Sequence, residues 1–316
     1  MMNRYLLIDG NNLTHAAQSA KKLTVGDTEV QAIFVFIKMM RTVIGKYPMC
    51  KPVVLWDGAS WRYMSFPEYK GNRDKEHTPA YKKQTEERVS AKKQIPAIKK
   101  AMTLLGVDQV RASNMEGDDL AAIMGDLYVK RGDKVVLCSG DKDWIQLAGP
   151  SMLWFDPIKD RKVRTPEDIE AAINVKVKSF RQFVEFKALC GDSGDNIGGV
   201  GGIGDKGAQE FLDTFGSFTS FTNGCMDGTI DPKKLAKKFR DLAEDEDKQM
   251  LFSRNIWLMD LRTPKRPAPL NLTVTRGEPD LERFETFCRR LMFQSFLTDL
   301  PTWASVFPAF KMEEAA

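Results

Sequence analysis

Short apolar runs that end at or just before an aspartate recur along the first half of the chain, and they constrain its fold more than any other feature. The runs are 4–9 (RYLLID), 52–57 (PVVLWD) and 134–138 (KVVLC, followed by Ser-Gly-Asp), with a weaker candidate at 107–111. A helical pattern from about residue 29 to 46 separates the first two. Strands alternating with such helices predict an α/β fold with a central, mostly parallel sheet flanked by helices.

Acidic residues cluster at or just past the ends of these runs, where open α/β sheets bind their ligands. There are five clusters: Asp9; Asp57; Glu116, Asp118 and Asp119; Asp141 and Asp143; Asp192 and Asp195. So many carboxylates at one sheet edge repel each other unless cations lie between them. Two octahedral ions that share carboxylates suit in-line phosphodiester hydrolysis. The clusters therefore predict a metal site.

Some of these acids have a simpler interpretation. Glu116, Asp118 and Asp119 open an amphipathic helix, where acids also complement the helix dipole without binding metal. For Asp119 alone, that interpretation is acceptable. Asp192 and Asp195 lie three residues apart, hence on one face of a helix, and can together reach a single ion.

The composition narrows the choice of metal and of compartment. Two histidines are too few for a histidine-built zinc site, so carboxylates must hold the metal, which favours Mg²⁺ or Mn²⁺. Five scattered cysteines without a C-x-x-C pair indicate a reduced, intracellular protein. No window approaches the roughly 18 apolar residues of a membrane span. We expect a protein of the cytoplasm, or of the host cytoplasm if the gene is viral.

A basic segment contrasts with the acidic clusters. Residues 61–100 hold eleven Lys or Arg against five Asp or Glu, while the whole chain carries a net charge of only +4. The segment is too long for an ordinary connection. If it is helical, Lys70 and Arg73 share one face, beside Tyr69 as a base-stacking aromatic. Lys82 and Lys83 are candidate contacts to the nucleic-acid backbone, although charge runs are more often only solvated faces.

A glycine-rich run at 198–207 lies between two helical patterns, in a part of the chain that is mostly helical after about residue 165. Such a run lets backbone N–H groups point at a phosphate, although it can also be a flexible turn. The G-K-[ST] of a P-loop is missing, which disfavours nucleotide hydrolysis. We interpret the run as a hairpin that holds the DNA backbone. Its candidate contacts are Gly199, Gly201, Gly202, Gly204 and Lys206.

The motifs occur together in one recognisable order. DGNN, WDG, EYKGNR, EGDD, SGDKDW and GDSGDNIGGVGGIGDKGA resemble the flap endonuclease and 5′-3′ exonuclease family, and its bacteriophage members most. The resemblance implies an α/β nuclease core over 1–165 with a helical arch at about 61–100. It also implies a mostly helical region over 166–316 with a helix-hairpin-helix-like (helix-3-turn-helix) DNA clamp at about 190–215.

The resemblance also implies roles for individual residues. It assigns all nine acids of the five clusters to two Mg²⁺ ions, which Mn²⁺ can replace, with the last four acids at the second ion. Lys70 and Arg73 act against the scissile phosphate, and the hairpin is expected to hold a K⁺ ion. The implied enzyme is a monomeric 5′-nuclease of replication or repair that acts on DNA flaps, nicks, ends and RNA–DNA hybrids, alongside replication proteins.

Three other functions remain open from the residues. A DNA-binding module that has lost cleavage would keep the same fold. A phosphatase-like hydrolase could use Asp9 as nucleophile, but it needs a second aspartate two residues on, where this chain has Asn11. A PIN-type ribonuclease shares the sheet and the acids but is much shorter.

Overall fold

The computed structural model describes the backbone of residues 2–74 and 79–311, and the side chains of all of these except 73, 74 and 79–81. The strands are β1 (Arg4–Asp9), β2 (Thr24–Val25), β3 (Thr28–Glu29), β4 (Lys51–Trp56), β5 (Asp108–Arg111), β6 (Lys134–Cys138), β7 (Met152–Asp156), β8 (Arg161–Val163), β9 (Gly191–Asp192), β10 (Ile197–Gly198) and β11 (Thr273–Thr275).

The helices alternate with these strands in the first half of the chain and dominate the second. They are α1 (Gly10–Gln18), α2 (Gln31–Lys46), α3 (Pro79–Leu104), α4 (Gly117–Lys130), α5 (Pro166–Ile173), α6 (Phe180–Cys190), α7 (Asp205–Phe215), α8 (Phe218–Asp227), α9 (Lys237–Glu244), α10 (Glu246–Met259), α11 (Leu281–Arg290), α12 (Gln294–Leu297) and α13 (Leu300–Ala304). Among the helices that the structure describes, none is long and apolar enough to cross a bilayer.

The main sheet has seven strands in the order β11-β5-β4-β1-β6-β7-β8. The five central strands are parallel, and the edge strands β11 and β8 run antiparallel to their neighbours. This confirms the predicted fold class. The predicted run 52–57 extends one residue past the end of β4 at Trp56, so Asp57 directly follows the strand. In the register of β1, Asp9 pairs with Leu55 of β4, and Ile8 pairs with Cys138 of β6. The carboxyl ends of β1, β4 and β6 therefore meet at one edge.

Helices cover both faces of the sheet and enclose two apolar cores. Side chains alternate along β1, so that Leu7 enters the core that α4, α6 and α7 complete. Leu6 and Ile8 enter the opposite core, completed by α2, α3 and the last helices. Burial on both faces holds the edge with the acidic residues in a fixed position.

Within the described residues, the basic segment is helical at Trp61–Met64, at Gly71–Asp74 and along α3, and it joins the body at both ends. Trp61 and Arg62 are buried in a 3₁₀ turn, and Ile98 and Ala101 of α3 are buried in the second core. The 26 residues of α3 continue from the surface directly into this core. Both ends of the predicted arch at about 61–100 therefore pack into the body of the protein, and the extent of the arch stays a prediction.

The last third of the chain returns to the main sheet. Thr273–Thr275 pair with β5 as an edge strand, and α11–α13 pack Phe284, Phe293 and Phe296 into the second core. Residues 166–311 are mostly helical, but they also complete the sheet and the core of the first region, so the division of the chain at about residue 165 stays a prediction. Burial of Phe296 also agrees with the interpretation of QSFLTDLP as a core-packing segment rather than a clamp-binding peptide.

Candidate active site

A polar cavity of about 350 Å³ opens at the carboxyl ends of β1 and β4, beside α3. Five of the predicted acids line it together with Lys70, and α3 contributes three polar side chains to the opposite wall. The acids are Asp9, Asp57, Glu116, Asp118 and Asp141. They come from four separate stretches of sequence, so the fold alone brings them together.

Local hydrogen bonds fix the orientation of these carboxylates. Asp9 caps α1 by accepting from the Asn12 N–H at 2.9 Å, and the Ser139 hydroxyl donates to its other oxygen at 2.7 Å. The Gly117 N–H donates to Asp57 Oδ1 at 2.7 Å. Such contacts leave few side-chain motions to freeze when a ligand binds.

The cluster is electrostatically unfavourable without a cation. Burial, and after it the carboxylate of Asp57, raise the pKa of Asp9 to about 7. Burial and the neighbouring Asp143 raise the pKa of Asp141 to about 7, and burial and Asp141 hold the pKa of Asp118 well above its usual range. Each group would regain its charge if a divalent ion lay among them.

The donor set fits a magnesium-type ion. Among the residues that the structure describes, no three side chains form a compact, preformed cluster of metal ligands. Mg²⁺ does not need one, because it keeps several waters and binds through one or two carboxylates at a time. The cavity is lined by oxygen donors, and among the described residues His15 is its only histidine and no cysteine lines it, which favours Mg²⁺ or Mn²⁺ over zinc.

These pKa values predict how stability depends on pH. In the metal-free protein, Asp9 and Asp141 hold protons up to about pH 7, whereas in the unfolded chain they lose them near pH 3.8. The folded state thus binds more protons in this window, so stability falls as pH rises from about 4 to 7. We expect Mg²⁺ to raise the melting temperature more at pH 7.5 than at pH 5. Calorimetry with and without Mg²⁺ checks this, and an equal rise at both pH values would contradict it.

The second group of predicted acids surrounds a largely buried lysine, whose side chain is 15% exposed. A larger cavity of about 940 Å³ shares Asp141 with the first and is also lined by Asp143 and Asp192. Lys187 of α6 forms an ion pair with Asp143, and its Nζ lies 3.3 Å from Asp192 Oδ2. Burial alone would lower the pKa of Lys187, but the two aspartates raise it above its ordinary value. Its ammonium therefore sits where a second metal ion was predicted.

Asp192 and Asp195 do not share a helical face as predicted. Asp192 belongs to β9 and accepts from the N–H groups of Gly194 and Asp195 at 2.9 and 3.2 Å. Asp195 ends a 3₁₀ turn, and its Oδ2 lies 3.9 Å from Nζ of Lys70, which lines the first cavity. The two acids thus have different partners, because a strand and a tight turn replace the expected helix.

Tyr69 is a buried bridge rather than a stacking platform. Its side chain is only 3% exposed, and its hydroxyl lies 2.8 Å from Asp195 Oδ2 and 3.1 Å from Glu116 Oε2. The prediction that Tyr69 stacks on a base is therefore wrong, since its ring is covered by protein. The neighbouring Lys70 places its ammonium in the first cavity, in contact with Glu116.

Asp119 faces away from the cavity. Both of its oxygens accept from the guanidinium of Arg62, at 3.0 and 3.1 Å, and Trp61 Nε1 donates at 3.2 Å. It also forms a capping box with Glu116. The predicted metal role of Asp119 is corrected accordingly: its carboxylate is fully buried and already paired. Sequence reasoning did not identify Arg62, because nothing in WRYM distinguishes a buried cation from a surface one.

The remaining predicted contacts are distributed over α3 and the hairpin. Lys82 and Lys83 are exposed on α3, while the side chain of Arg73 lies outside the described residues and its role stays a prediction. Gly199 touches the preceding helix so closely that a Cβ atom would lie 2.2 Å from the Cys190 carbonyl oxygen. Gly201 and Gly204 face open space, Gly202 is left-handed with φ +85°, and Lys206 is in the first turn of α7.

Comparison with known proteins identifies the family. Residues 4–174 match the model of the 5′-3′ exonuclease N-terminal resolvase-like domain, and residues 179–277 match that of the 5′-3′ exonuclease C-terminal SAM fold. The flap endonuclease Xni of Shewanella sediminis is 32% identical over 61% of this chain and 69% of its own length. DNA polymerase I of Bacillus caldotenax is 27% identical over 61% of this chain but only 21% of its own length.

Solved structures share the fold at lower identity. The T5 D15 protein co-crystallised with metal ions is 23% identical, with a TM-score of 0.63 over 98% of this chain and all of that one. The catalytic core of Rad2 in complex with a DNA substrate is 14% identical, with a TM-score of 0.55 over 98% of this chain and 92% of that one. With both domain models matched in order, the chain belongs to the 5′-3′ exonuclease family of nucleases.

Proposed function

We propose that this protein is a structure-specific 5′-nuclease that hydrolyses phosphodiester bonds in branched, nicked or RNA-primed DNA, using two divalent ions, during replication or repair. The observation that supports this most is the convergence of five carboxylates in one cavity, next to Lys70 and bordered by α3. A polar cleft with strongly perturbed acids is the expected form of a metal-assisted hydrolase.

The two cavities suggest a division of ligands. Asp9, Asp57, Glu116 and Asp118 would hold the first ion, and Asp143 and Asp192 the second, with Asp141 between them. When bound, such a pair of ions activates water for attack and stabilises the leaving oxygen. Local hydrogen bonds orient the carboxylates, and Lys70 lies beside them in the first cavity. DNA contacts would come from Lys82 and Lys83 on one side and from the hairpin on the other.

Two alternatives fit the structure less well. A phosphatase would need Asp9 as a free nucleophile, but both of its oxygens accept hydrogen bonds and the side chain is 5% exposed. A PIN-type ribonuclease would lack the C-terminal domain that residues 179–277 match.

Substrate comparison tests the proposal. With Mg²⁺, the protein should cleave a DNA duplex with a 5′ flap much faster than single-stranded RNA or an aryl phosphate, because α3 borders the first cavity and Lys206 of the hairpin lines the second. A nicked duplex and an RNA–DNA hybrid complete the series and rank the substrates. Faster cleavage of single-stranded RNA would favour the ribonuclease, and a trapped aspartyl phosphate would favour the phosphatase.

The buried lysine predicts a measurable competition with metal. Replacing Lys187 by Met removes the cation between Asp143 and Asp192, so the metal-free variant should melt at a lower temperature than the wild type. Mg²⁺ or Mn²⁺ should then restore more stability to the variant than to the wild type. Lys142→Met, at an exposed position nearby, is the control. If metal raised the melting temperatures of Lys187→Met and Lys142→Met equally, Lys187 and the metal ion would not compete for Asp143 and Asp192.

A further inference from the structure

A basic segment that the proposed function does not use lies after the hairpin. Between residues 232 and 240 there are five basic residues and no acidic one: Lys233, Lys234, Lys237, Lys238 and Arg240. The segment comprises the 3₁₀ turn Pro232–Lys234 and the start of α9. A run of charged residues is by itself more often a solvated face. Whether this segment can bind DNA therefore depends on how it packs against the rest of the protein.

The apolar side of α9 fixes this segment against the second helix of the hairpin. Phe239 is 3% exposed, and its ring centroid lies 5.7 Å from that of Phe211 and 5.6 Å from that of Phe215 in α7. Leu242, one turn further, is fully buried in the same core. The basic residues are thus carried by a helix whose position relative to the hairpin is set by core packing.

Lys238 connects the basic segment to the glycine-rich loop. Its Cβ lies 3.8 Å from the position that a Cβ of Gly202 would occupy, and its Nζ lies 3.4 Å from that of Gly207. The ammonium also pairs with Glu210 on α7. A phosphate held by the loop would therefore lie close to the start of α9, and the backbone of the same strand would continue toward the exposed lysines.

We propose that Lys233, Lys234 and Lys237 form a second phosphate-binding surface that lengthens the contact between the protein and one duplex arm of its DNA. This proposal rests on the proposed function. All three side chains are exposed. Within the part of the chain that the structure describes, these three lysines form one ion pair, Lys234 with Asp231 at 3.7 Å, which joins two exposed groups and contributes little stability. Asp241, the next acid along the chain, pairs with Lys248. The positive charge is therefore available to a ligand.

Salt dependence of binding tests this surface. Each phosphate contact contributes about 0.9 to the slope of log affinity against log salt. The triple variant K233Q/K234Q/K237Q should lower that slope by about two to three and weaken binding about 10- to 100-fold at moderate salt. Binding is measured in Ca²⁺ on 5′-flap DNA. Each duplex arm in turn is shortened from about 20 to about 8 base pairs, or roughly 70 to 27 Å. The effect should disappear when one particular arm is short.

A matched triple variant separates a local surface from a general loss of charge. K21Q/K130Q/K159Q removes the same charge from exposed positions on other elements and should bind like the wild type. Equal salt slopes for K233Q/K234Q/K237Q and the wild type would overturn the proposal. An equal loss in the matched variant, or a loss that ignores arm length, would overturn it as well. A wild-type protein that binds with this arm-length dependence yet cleaves nothing in Mg²⁺ would instead contradict the proposed function and support this surface.

Discussion

The Asp141→Asn variant is expected to cleave 5′-flap DNA more than about 100-fold more slowly than the wild type in single-turnover assays with Mg²⁺, since even outer-shell changes cost 10–100-fold. Asp141 lines both cavities, so its carboxylate is the one that can serve both proposed ions. Asparagine keeps the size of the side chain but removes its charge and one oxygen ligand. Both ions should therefore bind more weakly.

DNA binding distinguishes a metal ligand from a general structural role. In Ca²⁺, the variant should bind flap DNA as tightly as the wild type or more tightly, because one negative charge near the phosphate is gone. Asp27→Asn, at an exposed turn between β2 and β3, controls for the change in charge. Parallel loss of binding and cleavage in Asp141→Asn would contradict the metal assignment.

Replacing Lys70 by Ala is expected to slow single-turnover cleavage at saturating enzyme by about 100-fold, the size typical of a group that stabilises charge in the transition state. The ammonium of Lys70 lies in the first cavity among the carboxylates, and its backbone N–H donates to the Asp195 carbonyl oxygen at 2.8 Å. This bond and the neighbouring Tyr69 bridge hold it in place. Arg73→Ala should behave similarly, and the double variant should lose less than the sum of the two effects.

The control for Lys70 is the exposed Lys92 of α3, whose replacement by Ala should change affinity only. Lys70 also pairs with Glu116, so a purely structural role would appear as a lower melting temperature and weaker metal binding. Wild-type single-turnover cleavage by Lys70→Ala would remove it from the catalytic residues and leave this segment a binding element.

The central strands could be predicted because each is a short apolar run with an abrupt polar end. Both faces of a parallel sheet are buried, so β1, β4 and β6 read as continuous apolar stretches, and the acids that follow mark the common edge. β11 was not predictable in this way. Its three residues are all exposed, and its position depends on pairing with β5 at the edge of the sheet.

The acids that line the first cavity could be located from sequence, but their partners could not. Lys187 and Arg62 are buried cations that pair with acids 57 residues away or fewer along the chain, and only the folded structure shows which acids they reach. The same limit explains Tyr69: a polar, basic neighbourhood favours an exposed ring, whereas the carboxylates of Glu116 and Asp195 hold its hydroxyl inside the protein. Burial can be predicted from sequence where apolar residues recur at a regular spacing. A single polar residue belongs to no such pattern, so its burial cannot be predicted in this way.

The most direct test of the central claim is cleavage of one flap substrate, labelled at its 5′ end in one preparation and at its 3′ end in another, across a range of Mg²⁺ concentrations. No cleavage is expected in EDTA, and a short 5′-labelled product should be released once Mg²⁺ is added. The rate should rise more steeply with Mg²⁺ concentration than it would for a single bound ion, because the proposed mechanism uses two ions. Cleavage that persists in EDTA, or short products released from the 3′ end, would contradict it.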